Sequence, residues 1–236
     1  MKKIVSIFVL ILVSRSLFCQ IYSLDFHAGY STYQLNSIKD YQLDMKDAYS
    51  HFSPKAVEKF PDYFNCMFTA GYWINNKNMI GINGGYYTTG GRNHVADYSG
   101  EFKLDMIIKG FRLGLQYQYV YFTTNSFSLY AQARAGSILS VFKEEMSLHI
   151  YDISSAEYSS KYRSITFFGE PSVGIEYPLI NKFSLDLNAG YQFDTNGKLH
   201  KKGDKDIVLK NAEDKNVKVN WTGLRISLGV TYYLSN

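Results

Sequence analysis

Five histidines and two cysteines are the scarce reactive side chains of this 236-residue chain. No Cys/His group has the spacing of a zinc site, so neither a metal nor another cofactor is expected. His51, His94, His149 and His200 all fall in stretches expected as loops. Acyl-transfer or hydrolytic chemistry would need one of them beside a serine and a carboxylate. None lies in a recognisable motif, so solvated histidines and no enzyme are expected. A second set is more informative. Asp25, Arg112, Arg134, Glu170, Glu176, Asp186 and Arg225, together with His27, stand at alternating positions among apolar neighbours. Buried charges of this kind hold one another in ion pairs or line a polar gate. A third set, Lys201, Lys202 and Lys205 in "GKLHKKGDKDIVLKNAEDKNVK", could meet phosphate groups or simply be solvated.

Strands must position the second set, because the alternation has period two. In "NKFSLDLNAGYQFD" Phe183, Leu185, Leu187, Ala189, Tyr191 and Phe193 share one face and Ser184, Asp186, Asn188, Gly190 and Gln192 the other. The C-terminal run opposes Leu224, Ile226, Leu228, Val230, Tyr232 and Leu234 to Arg225, Ser227, Gly229 and Thr231. Similar runs predict eight strands, at about 21–33, 63–74, 79–88, 111–122, 127–142, 162–177, 183–194 and 218–234. Short turns, "NNKN", "TTNS" and "PLINK", alternate with long polar loops at about 34–62, 89–110, 143–161 and 195–217. Residues 100–110 fit either a continuation of strand four or a loop hairpin. In the first loop "SPKAVEKF" predicts a short amphipathic helix with Ser53 as N-cap and Pro54 at its first position.

Composition narrows the class. Tyr and Phe number 21 and 16, and Pro only 4, a vocabulary that suits pleated sheet. The continuously apolar stretch is "MKKIVSIFVLILVSRSLFCQ", which predicts a secretory signal peptide over residues 1–19, too short to span a bilayer. Its removal takes Lys2, Lys3 and Arg15 and no acid from 25 cations and 21 anions, leaving 22 against 21. A near-neutral mature chain implies no nucleic-acid partner. Only Cys66 would then remain, which excludes an intrachain disulfide.

Short turns on one side, long loops on the other and aromatic residues at both ends of the apolar faces are the layout of a transmembrane barrel. Tyr22, Tyr72, Tyr121, Phe127, Tyr177 and Tyr232 are expected at the periplasmic rim, and Tyr30, Phe64, Tyr86, Phe111, Phe167 and Trp221 at the outer rim. The expected fold is therefore all-β: an eight-stranded antiparallel up-and-down transmembrane β-barrel over residues 20–236, with short periplasmic turns and long extracellular loops. The pattern resembles the small outer-membrane barrels of the OmpA-type and PorT-type β-barrel domains common in Bacteroidetes. Ser227, Gly229, Tyr232 and Leu234 resemble the C-terminal barrel-assembly signal, although the chain ends "YYLSN" where many such barrels end on Phe or Trp. That resemblance implies the cell outer membrane as location. It implies as partners outer-membrane lipid, lipopolysaccharide, met by the three lysines, and the barrel-assembly machinery. Beyond these an unidentified extracellular or periplasmic partner is expected.

An eight-stranded barrel is only wide enough for side chains to fill it, so the inward charges should pair. Strand parity and depth predict Arg134 with Glu170 and Arg225 with Asp25. Glu176 and Asp186 fall at one level without an arginine and call for Lys182 or water. The repeated phrases "HAGY", "TAGY", "NGGY" and "NAGY" place Gly towards the lumen and Tyr towards a headgroup girdle, as spacing inside a crowded barrel requires. The functional expectation is a structural or surface-recognition role. The alternatives are a porin-like conduit for small or hydrophobic solutes and an accessory barrel of a secretion machine.

Overall fold

The computed structural model describes residues 21–98, 100–151, 154–180 and 182–235; the expected signal peptide, 1–19, lies outside them. Eight strands form a closed antiparallel ring: β1 (Ile21–Ser31), β2 (Tyr63–Asn75), β3 (Asn78–Asp97), β4 (Gly100–Thr123), β5 (Ser128–Ile150), β6 (Ser154–Ile180), β7 (Phe183–Asp194) and β8 (Gly223–Ser235). Each pairs with the next. β8 returns to β1 from Ile21↔Ser235 to Ser31↔Arg225. Closure leaves no unpaired sheet edge in lipid, where such an edge could not be satisfied.

Strand lengths fall into two sets. β1, β2, β7 and β8 have 11, 13, 12 and 13 residues, close to what a tilted crossing needs. β3 to β6 have 20, 24, 23 and 27. The long strands overshoot the barrel by about ten residues, roughly 30 Å of extended chain, as a four-stranded wall. The stretches expected as loops at 89–110 and 143–161 are therefore mostly strand, and 100–110 continues strand four. Within β4 the alternation keeps its phase while its polarity inverts. Arg112, Gln116 and Gln118 point into the barrel, and Phe111, Leu113, Leu115 and Tyr117 point out. Higher up, Phe102, Leu104, Met106 and Ile108 are the buried residues and Lys109 is exposed. Below the change the outside is hydrocarbon; above it the outside is water.

Because the short strands stop, β3 and β6 would carry bare edges above the membrane. Lys55–Lys59 pairs with 91–94 of β3. His200–Lys201 pairs with 162–163 of β6, and Asp204–Val208 folds back on it. The helix expected over "SPKAVEKF" is thus a strand. The unpaired backbone of β3 supplies the hydrogen bonds a helix would have made internally. Ser53 does not cap it; at φ 54° it terminates the 3-10 turn Ser50–Phe52. The helix of this loop lies upstream, as α1 (Asn36–Ala48).

The inverted inner face of the wall is covered by α1 and by the last loop. Leu35, Ile38 and Tyr41 from the first loop and Leu199, Val217 and Trp221 from the last pack against Tyr87, Leu104, Met106, Ile108 and Phe142. A second, apolar core therefore fills the outer mouth. Trp221, expected on the outer girdle, is fully buried in it. β8 starts at Gly223 and not near 218, so the chain before it is free to turn inward. There the Trp221 backbone N–H donates to Asp194 Oδ2 at 2.9 Å and its indole N–H to Ser140 Oγ at 2.8 Å. Other expected girdle residues, including Tyr22, Tyr121, Tyr177, Tyr30, Phe64, Phe111 and Phe167, are exposed to lipid.

Candidate functional site

The barrel interior carries the densest chemistry. Arg134 on β5 stands opposite Glu170 on β6, and its Nη1 donates to Glu170 Oε1 at 2.5 Å. Arg112, reaching across from β4, donates through Nη1 to Glu170 Oε2 at 2.6 Å. The expected pair is thus a triad of two guanidiniums on one carboxylate. Neutral side chains take some of the remaining hydrogen-bonding positions, while Arg112 Nε and Nη2 and Arg134 Nη2 are buried without a hydrogen-bond partner. Arg112 also donates to Tyr87 Oη at 2.7 Å and lies 4.0 Å over the Phe168 ring. Arg134 Nε donates to Gln116 Oε1 at 2.9 Å, and Tyr87 donates to Gln192 Oε1 at 3.1 Å.

The pairing expected between Arg225 and Asp25 does not form. In the β1–β8 register Asp25 faces Thr231, whereas Arg225 faces Ser31, six residues or about 20 Å along the strand. Arg225 instead caps the top of the lumen. It donates to the carbonyls of Thr32 at 2.7 Å and Trp221 at 2.6 Å, and its guanidinium lies 5.2 Å from the Tyr33 ring centroid.

Glu176 and Asp186 are direct cross-strand partners, as their level implied. Among the described residues neither Lys182 nor an arginine forms an ion pair with them; hydroxyls answer them instead. Asp186 accepts from Tyr130 and Thr231, each at 3.2 Å, and Glu176 accepts from Tyr233. His27 Nδ1 lies 3.4 Å from Asp186, and Gly229 makes room for its ring, since a Cβ there would sit 2.6 Å from Nδ1. Asp25 is buried in the same region. Arginines therefore collect in the middle and upper lumen, and carboxyl side chains other than Glu170 in the lower. The cavity among Asp25, His27, Tyr130 and Asp186 is about 10 Å³, room for at most one water.

Tyr87, Tyr130, Gln116, Asn188 and Gln192 were not among the expected site residues. Their signal was parity, since each occupies the same strand face as the charges. The histidines expected in loops are scattered, and His94 and His149 lie instead on the overshooting parts of β3 and β5: His94 Nε2 lies 3.0 Å from Glu101, the His51 ring is tilted against Phe52, His149 packs on Tyr151 and His200 Nδ1 meets the Lys205 carbonyl. None of these contacts includes a serine hydroxyl. Lys201, Lys202 and Lys205 are exposed on the hairpin that covers the β6 edge.

One titratable group belongs to the extracellular cap. Burial pushes the Glu144 carboxyl up from the usual glutamate range, partly offset by the Tyr41 hydroxyl that donates to it at 3.1 Å. A raised folded-state value favours the protonated form. This contribution is fully present below the unfolded-chain value of about 4.3 and is lost as pH rises through the folded-state value. The cap should resist proteolysis better near pH 4 than near pH 8 with an acid-tolerant protease, and Glu144→Gln should remove that difference. An unchanged pH response in the variant would refute the assignment.

A closed eight-strand ring with a polar, side-chain-filled lumen and an apolar, aromatic-rimmed exterior defines a small β-barrel of the outer membrane, and that is where the chain resides. No protein-family model matches the chain, and no curated protein matches it in sequence. Solved structures do match. A major outer membrane protein from Thermus thermophilus is 10% identical with a TM-score of 0.56, covering 92% of this chain and 100% of that one. The outer membrane protein OprG from Pseudomonas aeruginosa is 17% identical at TM-score 0.42, covering 92% and 97%. Neisserial surface protein A is 17% identical at TM-score 0.39, covering 90% and 96%. At such identities the likeness, carried by the Thermus protein, is one of fold alone.

Proposed function

We propose that the protein is a non-enzymatic outer-membrane barrel whose membrane segment is a sealed anchor and whose extracellular cap is a structural or surface-recognition platform. The observation that carries this reading is the double filling of the lumen. Charged and amide side chains interlock at mid-height, and a separate apolar core closes the outer mouth. A porin-like conduit would need a water-filled path past both. The cap is held by packing and edge pairing, which gives its surface the definition that recognition requires.

Membership among OmpA-type or PorT-type barrels, and with it recognition by the barrel-assembly machinery, rests on the pattern of Ser227, Gly229, Tyr232 and Leu234 in β8. A role beside a secretion machine would use the same platform, and a pull-down from detergent-solubilised envelopes would reveal it. Single-channel recording in planar bilayers tests the sealed anchor. Folded, purified protein should give flat traces across the usual voltage range. Discrete, reproducible conductance steps would overturn the sealed reading in favour of the conduit.

A further inference from the structure

The outer face of the wall changes character at one level. Tyr86, Phe111, Leu139 and Ile165 stand opposite one another across β3 to β6 and form the last apolar row. The next outward row runs Thr88, Lys109, Val141, Arg163 and on to His200. The row above it runs Gly90, Ile107, Lys143 and Lys161. Lys202 joins that row through its backbone N–H, which donates to the Lys161 carbonyl at 2.8 Å. These two rows hold Lys109, Lys143, Lys161, Arg163 and Lys202 and no carboxylate.

On β3 to β6 the nearest outward acids, Asp105 and Glu145, lie one row higher, and Asp62, just before β2, is held by the Tyr30 hydroxyl and the Tyr33 backbone N–H. Asp105 is already engaged by Arg92 and Lys103, and Glu145 by Lys143. Lys109, Lys161, Arg163 and Lys202 make no ion pair among the described residues. Lys143 and Lys161 are moreover direct cross-strand partners, an arrangement that like charges disfavour. A surface that sets cations side by side and withholds acids is complementary to an anion.

Height identifies the anion. The band begins one residue pair above Phe111 and Ile165, where hydrocarbon gives way to headgroups. We propose that this band binds the phosphate groups of a phosphorylated glycolipid in the outer leaflet, with the lipid's acyl chains lying along Phe111, Leu113, Ile165 and Phe167. Lys201 and Lys205 are not part of it. Lys201 pairs with Tyr162, whose ring is buried on the inner face, and Lys205 sits on the hairpin beyond. The proposal depends on the barrel's orientation in the membrane and not on what the platform recognises.

The test is the thermal unfolding midpoint of the full protein in uncharged detergent, titrated with diphosphoryl lipid A, with the same lipid stripped of phosphate, and with phosphatidylglycerol. Diphosphoryl lipid A should raise the midpoint saturably, and the stripped lipid should not. Each of Lys109→Gln, Lys161→Gln and Arg163→Gln should raise the half-saturating concentration about five-fold, whereas Lys201→Gln with Lys205→Gln should leave it unchanged. All are exposed positions, and the single substitutions keep the test open should a combined variant fail to fold. An equal effect of the stripped lipid, or unaltered titration of all three single variants, would overturn the proposal. An equal effect of phosphatidylglycerol would overturn the glycolipid assignment in favour of any anionic lipid.

Discussion

Glu170→Gln should destabilise the barrel by about 3–5 kcal/mol, the usual cost of removing one partner from a buried ion pair. The physical reason is the two-to-one stoichiometry. Glu170 is almost completely buried and is the shared acceptor of Arg112 and Arg134, whose side chains are equally inaccessible. A neutral amide keeps the shape but leaves two guanidiniums facing each other with no counter-charge. Urea unfolding in lipid vesicles would measure it. The control is Arg112→Met, Arg134→Leu and Glu170→Leu combined. Replacing a whole buried ionic group by apolar side chains of similar volume is often close to neutral, so this variant should recover much of the loss. A single Glu170→Gln variant as stable as the parent would show that the triad does not hold the lumen together.

Trp221→Ala should cost about 3–5 kcal/mol as well, in the range for removing a large buried aromatic, but the loss should fall on a different part of the molecule. Trp221 sits between the last loop and the barrel mouth. Its ring packs edge-on against Tyr33 at a centroid distance of 4.9 Å and lies 5.5 Å from Tyr87. Deleting it opens the apolar core of the cap and strands the Ser140 hydroxyl. The membrane strands keep their own ladders and their own polar network. Limited proteolysis of vesicle-embedded protein should therefore show faster cleavage within 34–62 and 195–217, while the heat-modifiable gel mobility of the folded barrel persists. Cleavage no faster than in the parent would mean that the cap does not depend on this residue.

The two variants probe the two interiors of one set of strands, and the sequence disclosed them unequally. In the membrane segment an alternation with lipid on one side and a crowded lumen on the other leaves little choice of residue. The inward set from Asp25 to Arg225 could therefore be read from parity. Depth was harder. Arg134 and Glu170 are adjacent on neighbouring strands and were legible as a pair, but Arg112 reaches Glu170 from β4, two strands away, a contact that pairing of neighbouring strands does not predict. Asp25 and Arg225 were misassigned because the register of a closing pair depends on the shear of the whole ring.

The wall shows a different limit. Residues 100–110 alternate as regularly as the membrane strand they continue, with Phe102, Leu104, Met106 and Ile108 on one parity and Glu101, Lys103, Asp105 and Lys109 on the other. Beside a lipid exterior this is the wrong face for a strand, and so it resembles a loop. For the same strand passing from hydrocarbon into water it is what burial demands. The signal was present in the sequence; its sign depended on the surroundings.

The sequence by itself determined an outer-membrane barrel of eight strands, the identity of its inward charges and its aromatic rims, because those follow from period-two alternation and the solvent on each face. Only the tertiary structure decided which charges meet, that Lys55–Lys59 is a strand and not a helix, and that Trp221 leaves the lipid rim to seal the mouth. Those outcomes turn on strand register, on an exposed edge that needs a partner and on an apolar surface that needs a cover, and each of the three is a property of distant segments brought together.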